Sequence, residues 1–294
     1  MLDLARLRLL RELARRGTMT AVAEALGQTS SAVSQQLAIL EREARTPLLE
    51  RMGRRVRLTA EGRRLAVHAE TVIQAVEAAE FDLRADRVIP RGELEVATFP
   101  SFAKARLLPA VVRLRALHPE LTVTIREEEP IDSLEAVRDG RRDLAIDFAY
   151  SLAPRADVVG LTTFPILEEP VLLAVPDRGA TEDPVVLSEF AANDWIVGSR
   201  QTDDHRLAER ACALAGFSPR IVHTIDDYDL MLRMVAAGLG VGFVPAMAFD
   251  FSGAHGVAAR PVAGPAMTRR IQAVTRPVLA DSPRLKALLA ELVG

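Results

Sequence analysis

Apolar residues recur at helical spacing up to Leu83 and at strand spacing from Gly92 onward. In the first part, Leu7, Leu10 and Ala14 line one face of a first helix whose other faces carry Arg6, Arg8, Arg11, Arg15 and Arg16. The stretch GTMTAVAEALG predicts a second, short helix, with Thr18 as N-cap, Val22 and Leu26 inward and Gly27 as its stop. After a tight turn, Val33, Leu37, Leu40 and Ala44 stand at i, i+4, i+7 and i+11, one stripe of a third helix that must face a core. Thr29, Ser30, Ser31, Ser34 and Gln35 lie off that stripe near the helix start. Taken alone, they fit a solvated helix face capped by Thr29 or Ser30 better than a face built to meet base edges. PLLERMGRRVRLT then places Gly53 between two short apolar segments, predicting a small hairpin whose tip holds Arg51, Arg54 and Arg55. Helix, turn, helix and wing follow one another, which favours the second reading.

From Thr59, a good N-cap, Leu65, Ala69, Val72, Val76, Ala79 and Leu83 alternate in steps of four and three up to Pro90. That is a coiled-coil seam, and because the helix outruns the compact head it predicts pairing of two chains there. An amphipathic helix packed on its own domain has the same pattern. Beyond Gly92, strand-like ELEVAT, TVTIRE, DLAIDF, EPVLLAVP, DWIVG, RIVHT and VGFVP alternate with helical runs. This rhythm predicts βαβ units around largely parallel sheets.

The run TAVAEALGQTSSAVSQQLAILEREARTPLLERMGRRVRLTAEG resembles, in order and spacing, the LysR-type transcriptional regulator family. LLPAVVRLRALHPELTVTIREEE, GRRDLAI and MVAAGLGVGFVP extend the resemblance into the second part. Three positions depart from the commonest family pattern: Gln28 where a small apolar residue is usual, Ser30 where Gln is frequent, and Gln35 where Arg is frequent. These departures bear on which DNA sequence is preferred. The resemblance implies an α/β fold with three parts: a winged helix-turn-helix at 1–58, a linker and dimerisation helix at 59–90, and an effector domain at 91–294. The effector domain would resemble periplasmic binding proteins, with two Rossmann-like lobes, lobe I at 91–161 and 269–294 and lobe II at 162–268. As partners the family implies double-stranded DNA with an interrupted inverted repeat, a second copy of the chain and beyond that a homotetramer, a small-molecule effector, and RNA polymerase where the outcome is activation.

Composition supports a two-part reading. The 294 residues carry a net charge of −3, with 49% hydrophobic and 26% charged content, ordinary for globular domains. Residues 1–64 hold thirteen Arg against seven Asp and Glu, a balance of +6, which leaves −9 for the remainder. A basic head on an acidic body suits contact with phosphate. One cysteine, Cys212, excludes a disulfide framework within the chain. With no basic start followed by an apolar run, and no long apolar segment, the expectation is a cytoplasmic protein without a membrane partner.

Motifs for catalysis and cofactors are wanting. GLGVGF at 238–243 follows a helix and precedes a strand, the reverse of the order that aims N–H groups at a pyrophosphate, so no cofactor is expected. The pairs Asp203-Asp204 and Asp226-Asp227, near His205, read as helix caps rather than metal ligands. The absence of HExxH, GxSxG and P-loop patterns argues against an enzyme. Ligand residues in open α/β sheets stand where strands end. Those junctions place Pro100, Ser101 and Phe102 in one group, Asp147, Phe148 and Tyr150 in a second, Ser199, Arg200 and Gln201 in a third, and Phe243 with Pro245 in a fourth. By resemblance, the equivalent segments line the family's effector cleft. Ser101 at a helix start and Arg200 fit an anion site with Phe102, Phe148 and Phe243 as walls, hence an organic carboxylate, and also fit an ordinary helix cap and a surface salt bridge. Two rivals stand beside the regulator. A periplasmic solute-binding protein would explain the body but would need an export signal, and a ligand-independent winged-helix protein would leave the body without a role.

Overall fold

The computed structural model describes the chain except residues 53–54, 85–88, 155–157, 178, 180–182, 200–201 and 294, with backbone alone at 51–52, 55, 74, 77–78 and 80–84. It divides into two compact units, Met1–Asp86 and Arg87–Gly294.

In the first unit, α1 spans Leu4–Arg16, with Asp3 accepting the Arg6 N–H at 3.1 Å and Gly17 closing it in the left-handed region. Its buried arc is Leu7, Leu9, Leu10 and Leu13, together with Glu12. Ala14, expected inside, lies one step beyond that arc and is exposed. α2 spans Met19–Ala25 and is capped by Thr18, which accepts from Ala21 N. Leu26, also expected inside, is the C-cap and 40% exposed, because the chain turns away through Gly27 at positive φ. α3 (Ser30–Ala44) buries Val33, Leu37 and Leu40. The hairpin β1 (Leu49–Met52) and β2 (Arg55–Leu58) pairs from Leu49–Leu58 to Met52–Arg55.

α4 spans Ala60–Arg84. Thr59 Oγ1 accepts from Gly62 N–H at 2.9 Å and donates to the Pro47 carbonyl at 2.9 Å. Gly62 permits this approach, since a Cβ there would stand 2.2 Å from the Leu48 carbonyl oxygen. Ala66, Ala69 and Ile73 complete the core of this unit, and Leu65 packs against it. This corrects the expected pairing seam. Ala69 is fully buried within its own unit and has no surface to offer a partner, while Leu65 is half used in the same way. Because α1 packs beside α4, the buried row takes Ala66 and Ile73, each one position past the expected Leu65 and Val72, and shares Ala69 with the expected seam. Val72 (45% exposed), half-buried Val76 and exposed Ala79 form what is left of the seam. The side chain of Leu83 lies outside the described residues.

The second unit opens with β3 (Gly92–Thr98) and a helical run of α5 (Pro100–Phe102), a π-helical turn Ala103–Leu107 and α6 (Leu108–Leu117). β4 (Leu121–Glu127), α7 (Pro130–Arg138) and β5 (Leu144–Tyr150) follow. β3 pairs in parallel with both β4 and β5. β6 (Thr162–Pro176) is long and serves two sheets. Then come β7 (Asp194–Val197), α8 (Asp203–Leu214), β8 (Arg220–Thr224), α9 (Tyr228–Ala236), β9 (Gly242–Pro245), α10 (Ala246–Ser252), β10 (Val257–Arg260), β11 (Thr268–Thr275) and α11 (Pro283–Val293).

One sheet is ordered β4-β3-β5-β11-β6, where β11 lies antiparallel to both β5 and β6. The C-terminal half of β6 takes β9 on one side and β10 on the other, both antiparallel. A parallel bridge from Trp195 to Val241 joins the β7–β8 pair to β9. The sheets are therefore mixed rather than largely parallel: β6 and β11, running in opposite directions, carry the chain between the two halves. Gly240 and Gly242 of GLGVGF sit where a Cβ would come within 2.8 Å of the Asp194 carbonyl and 2.6 Å of the Ile196 carbonyl. These glycines allow β9 to lie against β7. No helix among the described residues is long and apolar enough to cross a membrane.

Candidate functional sites: an exposed helix face and an acidic cleft

In the first unit, the buried stripe of α3 fixes what its other side presents. Ser30, Ser31, Ser34 and Gln35 are all exposed. Thr29 is the N-cap: its Oγ1 accepts from Ala32 N–H at 3.2 Å and lies 3.0 Å from Ser31 Oγ. Arg6 braces α3 from behind, donating to Gln36 at 3.0 Å and pairing with Glu43. Glu41 ties α3 to the wing, its Oε1 accepting the N–H groups of Leu48 and Leu49 at 2.8 and 2.9 Å. Arg11, Arg15 and Arg16 converge on buried Glu12 at 2.9 to 3.0 Å. Part of the basic excess of this unit is therefore internal structure. At the wing, Arg51 and Arg55 lie on the paired strands, their side chains outside the description, and Arg54 lies outside the described residues.

The second unit holds a cleft of about 590 Å³ with its mouth included, walled by Phe99, Phe148, Tyr228 and Phe251. At its base Arg269, only 1% exposed, donates from Nε and Nη2 to Glu169 Oε1 at 2.8 and 2.6 Å and from Nη2 to Ser101 Oγ at 3.2 Å. The guanidinium carbon lies 5.0 and 5.3 Å from the ring centres of Phe99 and Phe148. Glu169 Oε2 accepts from Met247 N–H at 2.7 Å, so one carboxylate joins β6, β11 and the start of α10.

Across the cleft, the only two tyrosines of the chain meet one carboxylate. Tyr228 donates to Asp204 Oδ1 at 2.7 Å, Tyr150 donates to the same oxygen, and the two hydroxyls lie 3.1 Å apart. Burial pushes Asp204 above the usual carboxylate range, and the two hydroxyls offset part of that shift. Burial, with the charge of Asp204, raises both tyrosines well above their ordinary value. Lys104 pairs with Asp229 at the mouth, a hydrogen bond that raises the ammonium pKa.

The expected effector residues divide. Pro100, Ser101 and Phe148 line the cleft. Phe102 does not: it is fully buried in the core. Asp147 alternates with Phe148 along β5 and so faces the opposite side, where it accepts from Gln272 Nε2 at 3.1 Å. Phe243 packs against Trp195 with ring centres 5.4 Å apart and planes tilted by 47°, and borders a second, smaller hollow that shares Asp204, Asp226 and Tyr228 with the cleft. Pro245 is buried in β9 opposite Val171. Ser199 uses its backbone N–H on Asp226 Oδ1 at 2.7 Å and is not a lining residue. Arg200 and Gln201 lie outside the described residues. Of the aspartate pairs, only Asp227 caps a helix, accepting from Leu230 N–H at 2.7 Å; Thr202 caps α8. Among the described residues no group of three or more His, Cys, Asp or Glu has metal-holding geometry.

Sequence reasoning missed Arg269, Glu169, Asp204, Tyr228 and Lys104. For Glu169 and Arg269 the signal was a charge inside an otherwise apolar strand, in FPILEEPVLLAV and MTRRIQAVT, where alternation turns one of two adjacent charges inward.

A family model for the LysR substrate binding domain matches residues 89–294, and one for the bacterial regulatory helix-turn-helix protein, lysR family, matches 4–63. The chain belongs to the LysR family of transcriptional regulators. It is 26% identical over 230 residues to the nitrogen assimilation regulatory protein nac of Klebsiella aerogenes, covering 78% of this chain and 73% of that one. It is 27% identical over 255 residues to the transcriptional dual regulator GltC of Bacillus subtilis, covering 84% and 82%. HinK, a LysR family transcriptional regulator from Pseudomonas aeruginosa, shares the fold with a TM-score of 0.59 at 17% identity, covering 100% and 98%. In this LysR-family chain the single Cys212 is fully buried, and burial pushes its thiol up to about 12.

Proposed function

We propose that this LysR-family regulator reads double-stranded DNA through the exposed start of α3 and that a small molecule in the cleft of the second unit changes that reading. The observation that carries the first half is the division of α3. Val33, Leu37 and Leu40 are locked into the core, so Ser31, Ser34 and Gln35 project outward as one short polar face beside a two-stranded wing. Gln35 offers an amide that pairs bidentately with adenine, and the serine hydroxyls accept from or donate to several bases. Thr29 and Ser30, at the helix start, contact the neighbouring phosphate, and Arg51, Arg54 and Arg55 clamp the backbone from the wing.

Two copies pair through the surface of α4 that Val72, Val76 and Ala79 leave open, which places two α3 helices on an interrupted inverted repeat, and pairs assemble further into a tetramer. The protein acts in the cytoplasm, has no catalytic function, and meets RNA polymerase where it activates. Fluorescence anisotropy with the DNA upstream of its own gene, against a scrambled duplex, tests the reading. Preference for the native duplex that collapses in Gln35→Ala supports it, and equal binding to both duplexes overturns it.

A further inference from the structure

The charges of the cleft do not suit a plain carboxylate. Among the described residues two cations line it, Lys104 and Arg269, against five acids, Glu129, Asp204, Asp226, Asp227 and Asp229. Each cation already has an acid of its own, Asp229 for Lys104 and Glu169 for Arg269. Asp226 and Asp227 accept only the backbone N–H groups of Ser199 and Leu230, each at 2.7 Å, and no described Lys or Arg pairs with either. Lys104 also feels the charge of Asp227, but it is bonded to Asp229, so among the described residues the wall at the start of α9 stays net acidic. An anion entering alone meets this field.

The opposite wall shows the converse. Arg269 is buried, its Nε and Nη2 are bonded to Glu169 and Ser101, and its Nη1 has no hydrogen-bond partner among the described residues. Nη1 is not a buried orphan: it is the part of the guanidinium left open to the cavity that Arg269 lines. One wall offers an open donor and the other, among the described residues, two carboxylates bonded only to backbone N–H groups.

We propose that the effector is a small zwitterion, an amino-acid-like molecule whose carboxylate accepts from Arg269 Nη1 and whose ammonium group meets Asp226 and Asp227. Phe99, Phe148 and Tyr228 hold its apolar part. This deepens the reading of the cleft as the effector site and rests on it. It replaces Arg200 by Arg269 as the carboxylate partner and adds an amine that no sequence pattern suggested.

The test is a thermal-shift screen of the full-length protein with the proteinogenic amino acids and, for the apolar ones, matched compounds lacking one charge: phenylalanine, phenethylamine and 3-phenylpropionate, or leucine, 3-methylbutylamine and 4-methylpentanoate. At least one amino acid should raise Tm by about 5 to 10 °C at a hundredfold its Kd, with little or no rise from its matched acid. The rise should disappear in the double variant Asp226→Asn, Asp227→Asn, in which each side chain keeps an oxygen to accept its backbone N–H, so that the unliganded Tm changes little. An acid that stabilises as well as its amino acid, a rise undiminished in the double variant, or no rise with any amino acid would overturn the proposal. Hydrogen exchange with the stabilising compound separates this from the cleft itself. Protection around residues 99–104 and 226–231 by an acid refutes only the charge assignment, whereas protection elsewhere refutes the cleft.

Discussion

Removing the carboxylate of Glu169 by Glu169→Ala should be the most damaging single change in the second unit that leaves its apolar core intact. Glu169 is 7% exposed and its partner Arg269 is 1% exposed, so neither charge has water to fall back on. Two hydrogen bonds from the guanidinium end on Glu169 Oε1, and the Met247 N–H ends on Oε2. Losing one member of a buried pair costs about 3 to 5 kcal/mol, because the other charge is left without compensation. The orphaned Met247 N–H adds about 1 kcal/mol. For a unit of this size such a loss corresponds to a fall in Tm on the order of 10 to 20 °C. The assay is urea and thermal unfolding of the full-length protein, following the transition of Trp195, the chain's single tryptophan, which lies buried in that unit. Glu169→Leu combined with Arg269→Met should recover much of the loss, since replacing both charges removes the desolvation problem instead of exposing it. A fall of less than about 1 kcal/mol in Glu169→Ala, or a double variant no better than the single one, would refute the reasoning.

Gln35→Ala should cost about 1 to 3 kcal/mol on the preferred duplex and little on a scrambled one, whereas Arg55→Ala should weaken both alike and reduce the salt dependence of binding; anisotropy titrations at several salt concentrations distinguish the two. Val72→Asp should split the oligomer while leaving circular dichroism unchanged, but Ala69→Asp, with its carboxylate forced into a core position that is fully buried, should unfold the first unit; sedimentation and dichroism together read both. Burial holds Asp204 above the ordinary carboxylate range, so the folded state keeps this proton longer than the unfolded chain does. The stability it contributes is present below the ordinary carboxylate value and is lost as pH rises through the raised one. Asp204→Asn should therefore gain on the wild type as pH climbs from about 4 towards neutrality, and parallel urea midpoints across that range would contradict the shift.

The head was legible in the sequence because its pattern is local. Val33, Leu37 and Leu40 declare the buried side of α3 by spacing alone, and Thr18 and Thr29 announce two helix starts that the backbone then uses. Where the reading slipped, a neighbour decided. The pairing seam was set by periodicity, but α1 lies against α4, and its packing claims Ala69 for the unit's own core. The cleft was legible only in part. Strand ends located Ser101 and Phe148, since that rule depends on topology. Arg269 and Glu169 escaped it because they stand within strands far apart in sequence and meet only when β6 and β11 pair. Asp147 went astray by one residue, which on a strand means the other face.

Selection of a DNA sequence by α3 is the central claim, and sequencing of duplexes retained by the full-length protein from a random library, after several rounds of selection, tests it most directly. The retained pool should be enriched in an interrupted inverted repeat, with preference relaxed at one base pair of each half-site in Gln35→Ala. A retained pool that stays random, or one unchanged by Gln35→Ala, would contradict the claim.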